Sequence, residues 1–177
     1  LIKPDTYVNL GTGLPTQVSN YLSGGVWLHA ENGVLGYGGM VTGDDIDPDV
    51  YNAGGQFVSK VPGTSFFDSV TSFEMARGGH IDTVILGAYE VDAAANVIII
   101  VMEHTDSKLR PKLRRECTYP LTGARCVDWV VTDLAMLHFV DGRFVLEAIA
   151  PGFTPEEVIK LTEMTNIAVS PNLKTMV

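Results

Sequence analysis

Short apolar runs alternate along the chain with glycine- or acid-rich breaks, and that alternation sets the predicted elements. Residues 7–10, "YVNL", read as a strand that runs into "GTGLPT" at 11–16. Pro15 suits a helix start, residues 17–22 carry the helix, and "SGG" at 23–25 ends it. Residues 26–30, "VWLHA", form the second predicted strand. A glycine- and aspartate-rich loop follows, extending through "TGDDIDPD" at 42–49. Residues 57–61 are a further strand, and Pro62-Gly63 is a turn. Phe66, Val70, Phe73 and Met75 follow helical spacing, with Asp68 and Ser69 near the start and "RGGH" at 77–80 as the stop.

The second half is richer in strands. Residues 81–89 and 97–102 are continuous apolar runs, as expected for buried strands. Residues 127–132, 134–140 and 144–149 predict three more, with "DGR" at 141–143 as a hairpin turn. A helix over 155–163 begins "TPEE", with Thr154 as N-cap and acids in its first turn. Apolar strands alternating with helices imply an α/β domain with a mostly parallel sheet and an antiparallel C-terminal meander. A single domain over 1–177 is expected. One junction does not fit a parallel sheet. The runs before and after "DAAAN" at 92–96 are joined by too few residues for a parallel crossover. The two strands either form a hairpin or have lost residues near 96–98.

Composition and charge narrow the function classes. At 46% hydrophobic and 19% charged the chain is globular. Net charge is −9 and no basic stripe exists, which argues against nucleic acid. The cluster "KLRPKLRRE" at 108–116 reads as a solvated face. Cys117 and Cys126 are too few for a disulfide scaffold, lack metal-ligand spacing and are expected reduced. The longest apolar run, 97–102, is far below the ~20 residues of a membrane span, and no signal peptide is visible. The chain begins at Leu1, so N-terminal residues are expected to be missing. The 18 glycines exceed the usual share, which suggests backbone approach to a ligand.

Two breaks after strands carry candidate chemistry, since ligands bind at such loops in α/β sheets. In "LGTGLPT", Gly11 and Gly13 offer amide groups at a helix start. The stretch is neither a dinucleotide fingerprint nor a P-loop, and a tight strand–helix turn explains it equally. In "LHAENGVLGYGG" at 28–39, Glu31 stands at a strand end before bare glycines. A carboxylate there can be a metal ligand, a general base, a nucleophile, or a mere salt-bridge or capping group. His29 alternates with Glu31 and could share its face, but no third metal ligand is evident. As a nucleophile, a glutamate is ionised at neutral pH without a base, and an activated acyl group such as a thioester is its natural target. Glycine amides would serve as oxyanion donors. Phe66, Phe67 and Phe73 read as core. Gly78-Gly79-His80 reads as a helix stop, Glu103-His104 as a strand end near a cleft, and His138 as structural.

The stretches "VNLGTGLPTQVSNYL", "AENGVLGYGG", "DPDVYNAGG", "VPGTSFFDSVTSFEMARGGHID" and "CTYPLTGARCVDWVVTDLAMLHF" closely resemble the B subunit of family I CoA-transferases, nearest to 3-oxoacid CoA-transferases that use succinyl-CoA. The resemblance covers nearly the whole chain in order. It implies an open α/β/α sandwich. It also implies that Glu31, within Ala30-Glu31-Asn32-Gly33, is the nucleophile of a ping-pong cycle through a glutamyl-CoA thioester. Alanine stands at position 30 where the family motif has serine. Gly11, Gly13, Leu14 and Pro15 then match a CoA-contacting segment, with Asn32 and Gly33 beside the thioester. The expected partners are an A subunit, in an A2B2 assembly, an acyl-CoA and a small carboxylic acid. No metal, resident cofactor, nucleic acid or membrane is expected, CoA thioester being a substrate. The compartment would be bacterial cytoplasm or the mitochondrial matrix. Family members also carry a segment of roughly twenty-five residues, with Gly-Gly-Ala-Met-Asp in it, between the two strands flanking 92–96. It helps form the oxyanion hole. Its absence here is expected to reflect a loop that the sequence omits, and an intact mass above 19.1 kDa would show that. Acceptors such as acetoacetate or 3-oxoadipate fit. Rivals are acetate or butyrate specificity, an acyl-CoA hydrolase, and an effector-binding domain of the same fold.

Overall fold

The computed structural model describes residues 1–22, 24–91, 98–120 and 126–177. The junction at 92–97 lies outside the described residues. The chain divides into two compact units, Leu1–Gly87 and Ala88–Val177.

The N-terminal unit is a five-stranded sheet in the order β5-β1-β2-β3-β4. Its strands are β1 (Thr6–Leu10), β2 (Val26–Ala30), β3 (Val34–Met40), β4 (Val58–Phe66) and β5 (Thr83–Leu86). Two short helices accompany them, α1 (Leu14–Gln17) and α2 (Ser69–Arg77). β1 pairs in parallel with both β2 and β5. β3 is antiparallel to β2 and to β4. The parallel trio matches the expected crossovers, because each connection contains a helix. The antiparallel pair of β3 and β4 does not appear in the hydrophobic pattern, and the reason is glycine. Residues 33–39 look like a loop, yet the chain continues as a strand whose glycines admit neighbours. A Cβ on Gly36 would stand 3.0 Å from the Trp27 ring. One on Gly38 would overlap the Ser59 hydroxyl. These glycines therefore serve close strand packing, and the reading of all of them as space for a ligand is corrected.

Pro62-Gly63 also lies inside a strand rather than ending one. β4 occupies the sheet edge, where proline costs no ladder bond. The register against β3 shifts there, and the Thr64 hydroxyl takes up the loose backbone, accepting from Val61 N at 2.9 Å. The helix predicted over 17–22 is divided into α1 and a 3-10 turn, Val18–Tyr21. Asp68 caps α2 by accepting from the Thr71 amide at 3.0 Å. α2 turns Ser72 fully inward and leaves Phe73 and Val70 exposed, as is Phe66 at the end of β4. The core assignment of Phe66 and Phe73 is thus overturned: β4 extends to Phe66, and the inward face of α2 is the one bearing Ser72. Ala30, Val34, Tyr37, Val50 and Val58 pack as one buried cluster. A fully buried valine-sized side chain contributes about 1.5–3 kcal/mol. Burial pushes the Tyr37 phenol up to about 12.

The C-terminal unit contains β6 (Ile98–Val101), β7 (Trp129–Val131), β8 (Ala135–Val140), β9 (Arg143–Ile149), α3 (Pro155–Lys160) and β10 (Ile167–Thr175), its strands in the order 6-7-8-9-10. β6 and β7 are parallel, and β7-β8-β9 form the expected antiparallel meander. Asp141 and Gly142, at φ 51° and 79°, make the two-residue turn between β8 and β9. Thr154 and Glu157 form a full capping box on α3. β10, parallel to β9, does not show in the hydrophobic pattern: Pro171 interrupts it, and the pairing absorbs the proline as a register shift after Val169. Leu113, Val130, Leu137, Phe144, Leu146 and Val158 form the buried interior of this unit. The fold class is α/β as expected, and among the described residues the strand pairings are mixed, parallel in β1-β2, β1-β5, β6-β7 and β9-β10 and antiparallel in β2-β3, β3-β4, β7-β8 and β8-β9.

Candidate active site

β5, β1 and β2 run in the same direction, so their C-terminal ends share one edge of the N-terminal unit. Asn9 is level with His29, and Leu10 with Ile85. The chain therefore leaves β1 at Gly11 and β2 at Glu31 within one residue of the same level, on strands about 4.8 Å apart. That is the position at which parallel α/β sheets present ligand sites. The register brings the two candidate loops together.

Glu31 and Asn32 are the central residues of a tight turn. Gly33 N donates to Ala30 O at 3.0 Å, closing it. Gly33 has φ 109°, and a Cβ there would strike the Phe67 carbonyl. Phe67 N donates in turn to Gly33 O at 3.0 Å, and Asn32 Nδ2 donates to Tyr51 O at 2.9 Å. Three bonds thus hold the backbone around Glu31. Its own carboxylate makes no hydrogen bond and no ion pair with any described residue, although the residue is half-buried. Neither a salt bridge nor a capping role accounts for it.

The other candidates divide. Gly11 N donates to Ile85 O at 2.9 Å, and a Cβ on Gly11 would press on Leu86 at 3.0 Å. Its amide is occupied by the sheet, contrary to the expectation that both glycines leave theirs open. Gly13, at φ 78°, faces open space, and Leu14 beside it is exposed while Pro15 is buried. Gly33 likewise uses its amide internally, within the turn.

His29 does not share a ligand face with Glu31. It is 1% exposed, with Nδ1 2.8 Å from Asn9 Oδ1 and Nε2 3.0 Å from Ser72 Oγ. Asn9 Oδ1 only accepts, so Nδ1 carries the proton and Nε2 accepts from the serine. Burial holds the imidazole below its ordinary 6.5, so it is neutral at pH 7. No group of three or more His, Cys, Asp or Glu converges as metal ligands among the described residues. Asn9 and Ser72 escape a reading of the sequence. A polar residue in each of two apolar strands, Asn9 in "YVNL" and His29 in "VWLHA", is the available signal.

Residues 1–98 match the family described as Coenzyme A transferase. The B subunit of a Helicobacter pylori succinyl-CoA:3-ketoacid coenzyme A transferase is 37% identical over 188 residues, covering 92% of this chain and 91% of the relative. Since 92% of 177 residues is about 163, about 25 of those 188 positions have no counterpart here. The mitochondrial succinyl-CoA:3-ketoacid coenzyme A transferase 2B of Mus musculus is 37% identical over 199 residues, 96% of this chain, and the chain spans only 38% of that relative's length. Among solved structures, an Escherichia coli O157:H7 acyl-CoA transferase, in a thioester complex with CoA, matches with a TM-score of 0.73 at 17% identity, covering 99% of this chain and 41% of that one. That likeness is one of fold. No helix among the described residues is long and apolar enough to cross a membrane. On the family match and the identity to the Helicobacter pylori protein together, the chain belongs to the coenzyme A transferase family.

Proposed function

We propose that this chain is the nucleophile-bearing half of a CoA-transferase that moves CoA from succinyl-CoA, or another acyl-CoA, to a 3-oxo acid such as acetoacetate or 3-oxoadipate. The observation that carries the reading is Glu31, a half-buried residue on a turn fixed by three hydrogen bonds, whose carboxylate has no partner among the described residues. A carboxylate with no described structural partner, at the ligand edge of parallel strands, is suited to react.

The chemistry follows from balance. A Glu31 carboxylate oxygen attacks the acyl carbon of the thioester, the C–S bond breaks, and CoA leaves as thiolate with a mixed anhydride behind it. The thiolate attacks the glutamyl carbonyl, expelling the acyl group as a carboxylate and leaving a glutamyl-CoA thioester. The acceptor carboxylate runs the same two steps in reverse. Neither a metal nor a resident cofactor takes part. Gly13 and Leu14 would contact CoA at the open strand–helix turn, which the buried Pro15 would shape from behind, with Asn32 and Gly33 beside the thioester. Gly11 would contribute by letting the chain pass close to β5. An A subunit, in an A2B2 assembly, would complete the site, in bacterial cytoplasm or the mitochondrial matrix. The Helicobacter pylori relative supports the partner, and the lack of a counterpart for about 25 of the 188 aligned positions agrees in number with a segment of roughly twenty-five residues absent from this sequence.

Initial rates of the chain with its A subunit, varying succinyl-CoA and acetoacetate together, test this. Parallel double-reciprocal lines are expected, with one acetoacetyl-CoA formed per succinate released and no net free CoA. Intersecting lines would contradict the ping-pong cycle. Steady release of free CoA without acceptor would make the protein a hydrolase.

A further inference from the structure

Ala30 and Gly33 bracket the Glu31 turn, and each touches a residue that the buried His29 imidazole itself contacts. We propose that His29 is a positioning residue for Glu31, clamping the turn at both ends through Ser72 and Phe67; the inference rests on the proposed role of Glu31. At one end, Ser72 donates its one hydroxyl proton to His29 Nε2 at 3.0 Å, and the same Oγ stands against Ala30 O, the carbonyl that closes the turn, at a longer 3.4 Å, a packing contact beside the ring bond. At the other, the Phe67 ring stacks on His29 with centroids 5.9 Å apart and planes 18° from parallel, while its backbone N–H holds Gly33 O. The third side of the ring is fixed on β1 by Asn9.

A buried histidine satisfied at both nitrogens is common as simple core structure. Here its partners come from β1, α2 and the segment between β4 and α2, three separate parts of the N-terminal unit. They meet at one ring, two residues before the candidate nucleophile. Ser72 and Asn9 are themselves buried, at 0% and 3% exposed. Water therefore does not substitute for a lost bond, and a change at the ring reaches the turn backbone. A displaced turn moves the carboxylate relative to the acyl carbon. Misplacement by about 1 Å costs on the order of 10²-fold in rate. Because His29 touches no substrate, the loss falls on the chemical step and leaves acyl-CoA binding alone.

The test compares His29→Leu, His29→Gln and Ser72→Ala in the chain paired with its A subunit. His29→Leu should lower kcat on the order of 10²-fold with KM for succinyl-CoA nearly unchanged. His29→Gln, whose amide can still donate and accept, should recover about tenfold of that loss. Ser72→Ala should lose about tenfold while staying folded, and it carries the test if His29→Leu does not fold. Independently of any substrate, amide exchange at Gly33 should accelerate in Ser72→Ala and His29→Leu. Wild-type kcat in Ser72→Ala with unchanged Gly33 exchange would overturn the proposal. So would a loss confined to KM, or a His29→Gln no better than His29→Leu. If the wild type forms no Glu31 thioester with any acyl-CoA while Gly33 exchange responds as predicted, the assigned function fails and the clamp itself stands.

Discussion

His29 and His104 are both sealed from solvent, at 1% and 0% exposed, one in each unit of the chain. Their surroundings differ. His29 uses both ring nitrogens, on Asn9 and Ser72, and stacks on Phe67. His104 uses Nδ1 on the Thr132 hydroxyl at 2.9 Å, while its buried Nε2 has no hydrogen-bond partner among the described residues. Burial lowers both imidazoles; at His104 the Asp133 carboxylate and the Val158 backbone oppose it. A histidine that ties three parts of a fold together beside an unpaired carboxylate constrains that carboxylate. A histidine bonded on one side fills core volume. The backbone repeats the contrast. Beside Glu31 the left-handed positions carry Gly33 and Gly36, whereas in the C-terminal unit Leu109 adopts φ 59° and is exposed.

The sharpest stress on this comparison is Gly33→Ala. A Cβ there meets the Phe67 carbonyl at a φ alanine rarely adopts, so unfolding free energy should fall by about 3 kcal/mol in denaturant titration. An equivalent stability to wild type would mean the turn is not fixed. Next come the two histidines. His29→Leu strands Asn9 Oδ1 in the interior and should cost about 2–3 kcal/mol. His104→Leu should change stability by about 1 kcal/mol, because Thr132 Oγ1 still accepts from the Leu134 and Ala135 amides at 3.1 and 3.0 Å and the Val158 backbone makes no hydrogen bond of good geometry to Nε2 among the described residues. Equal losses would erase the distinction.

Acidity should weaken both sites in the same direction. Each imidazole has a folded-state pKa below the unfolded 6.5, so the unfolded chain binds the proton first. The stability from the neutral rings is complete above 6.5 and is lost as pH falls from 6.5 toward the folded values. Denaturant midpoints taken about one pH unit either side of 6.5 measure it, and the drop should shrink in His29→Leu. The smallest effect is at Leu109. It occupies the αL position of a turn closed by Leu109 N to Asp106 O at 2.9 Å, so Leu109→Gly should stabilise by about 0.5 kcal/mol. A destabilised variant would show that Leu109 makes contacts its exposure conceals.

The sequence revealed elements where apolar residues ran unbroken: β1, β2 and β5 to β9, the last with its Asp-Gly turn. It concealed β3, β4 beyond Val61, and β10, because glycine and proline read as breaks unless a neighbouring strand is known to need the space. Glu31 was legible because Asn32-Gly33 marks a turn directly after an apolar strand. The Asn9–His29–Ser72 cluster was not, since it depends on the register of β1 against β2 and on which face α2 turns inward. The occupied Gly11 amide was hidden for a similar reason. Its acceptor, Ile85, lies far along the chain, on a strand that only the fold brings alongside.

Central to the proposed mechanism is the covalent joining of the Glu31 carboxylate to CoA. Intact and peptide mass spectrometry on the chain with its A subunit, after incubation with succinyl-CoA and no acceptor, tests it directly. The expected result is a gain of CoA less one water on the peptide containing Glu31, removed by acetoacetate and absent in Glu31→Gln. No adduct with any acyl-CoA, or one that persists in Glu31→Gln, would contradict it.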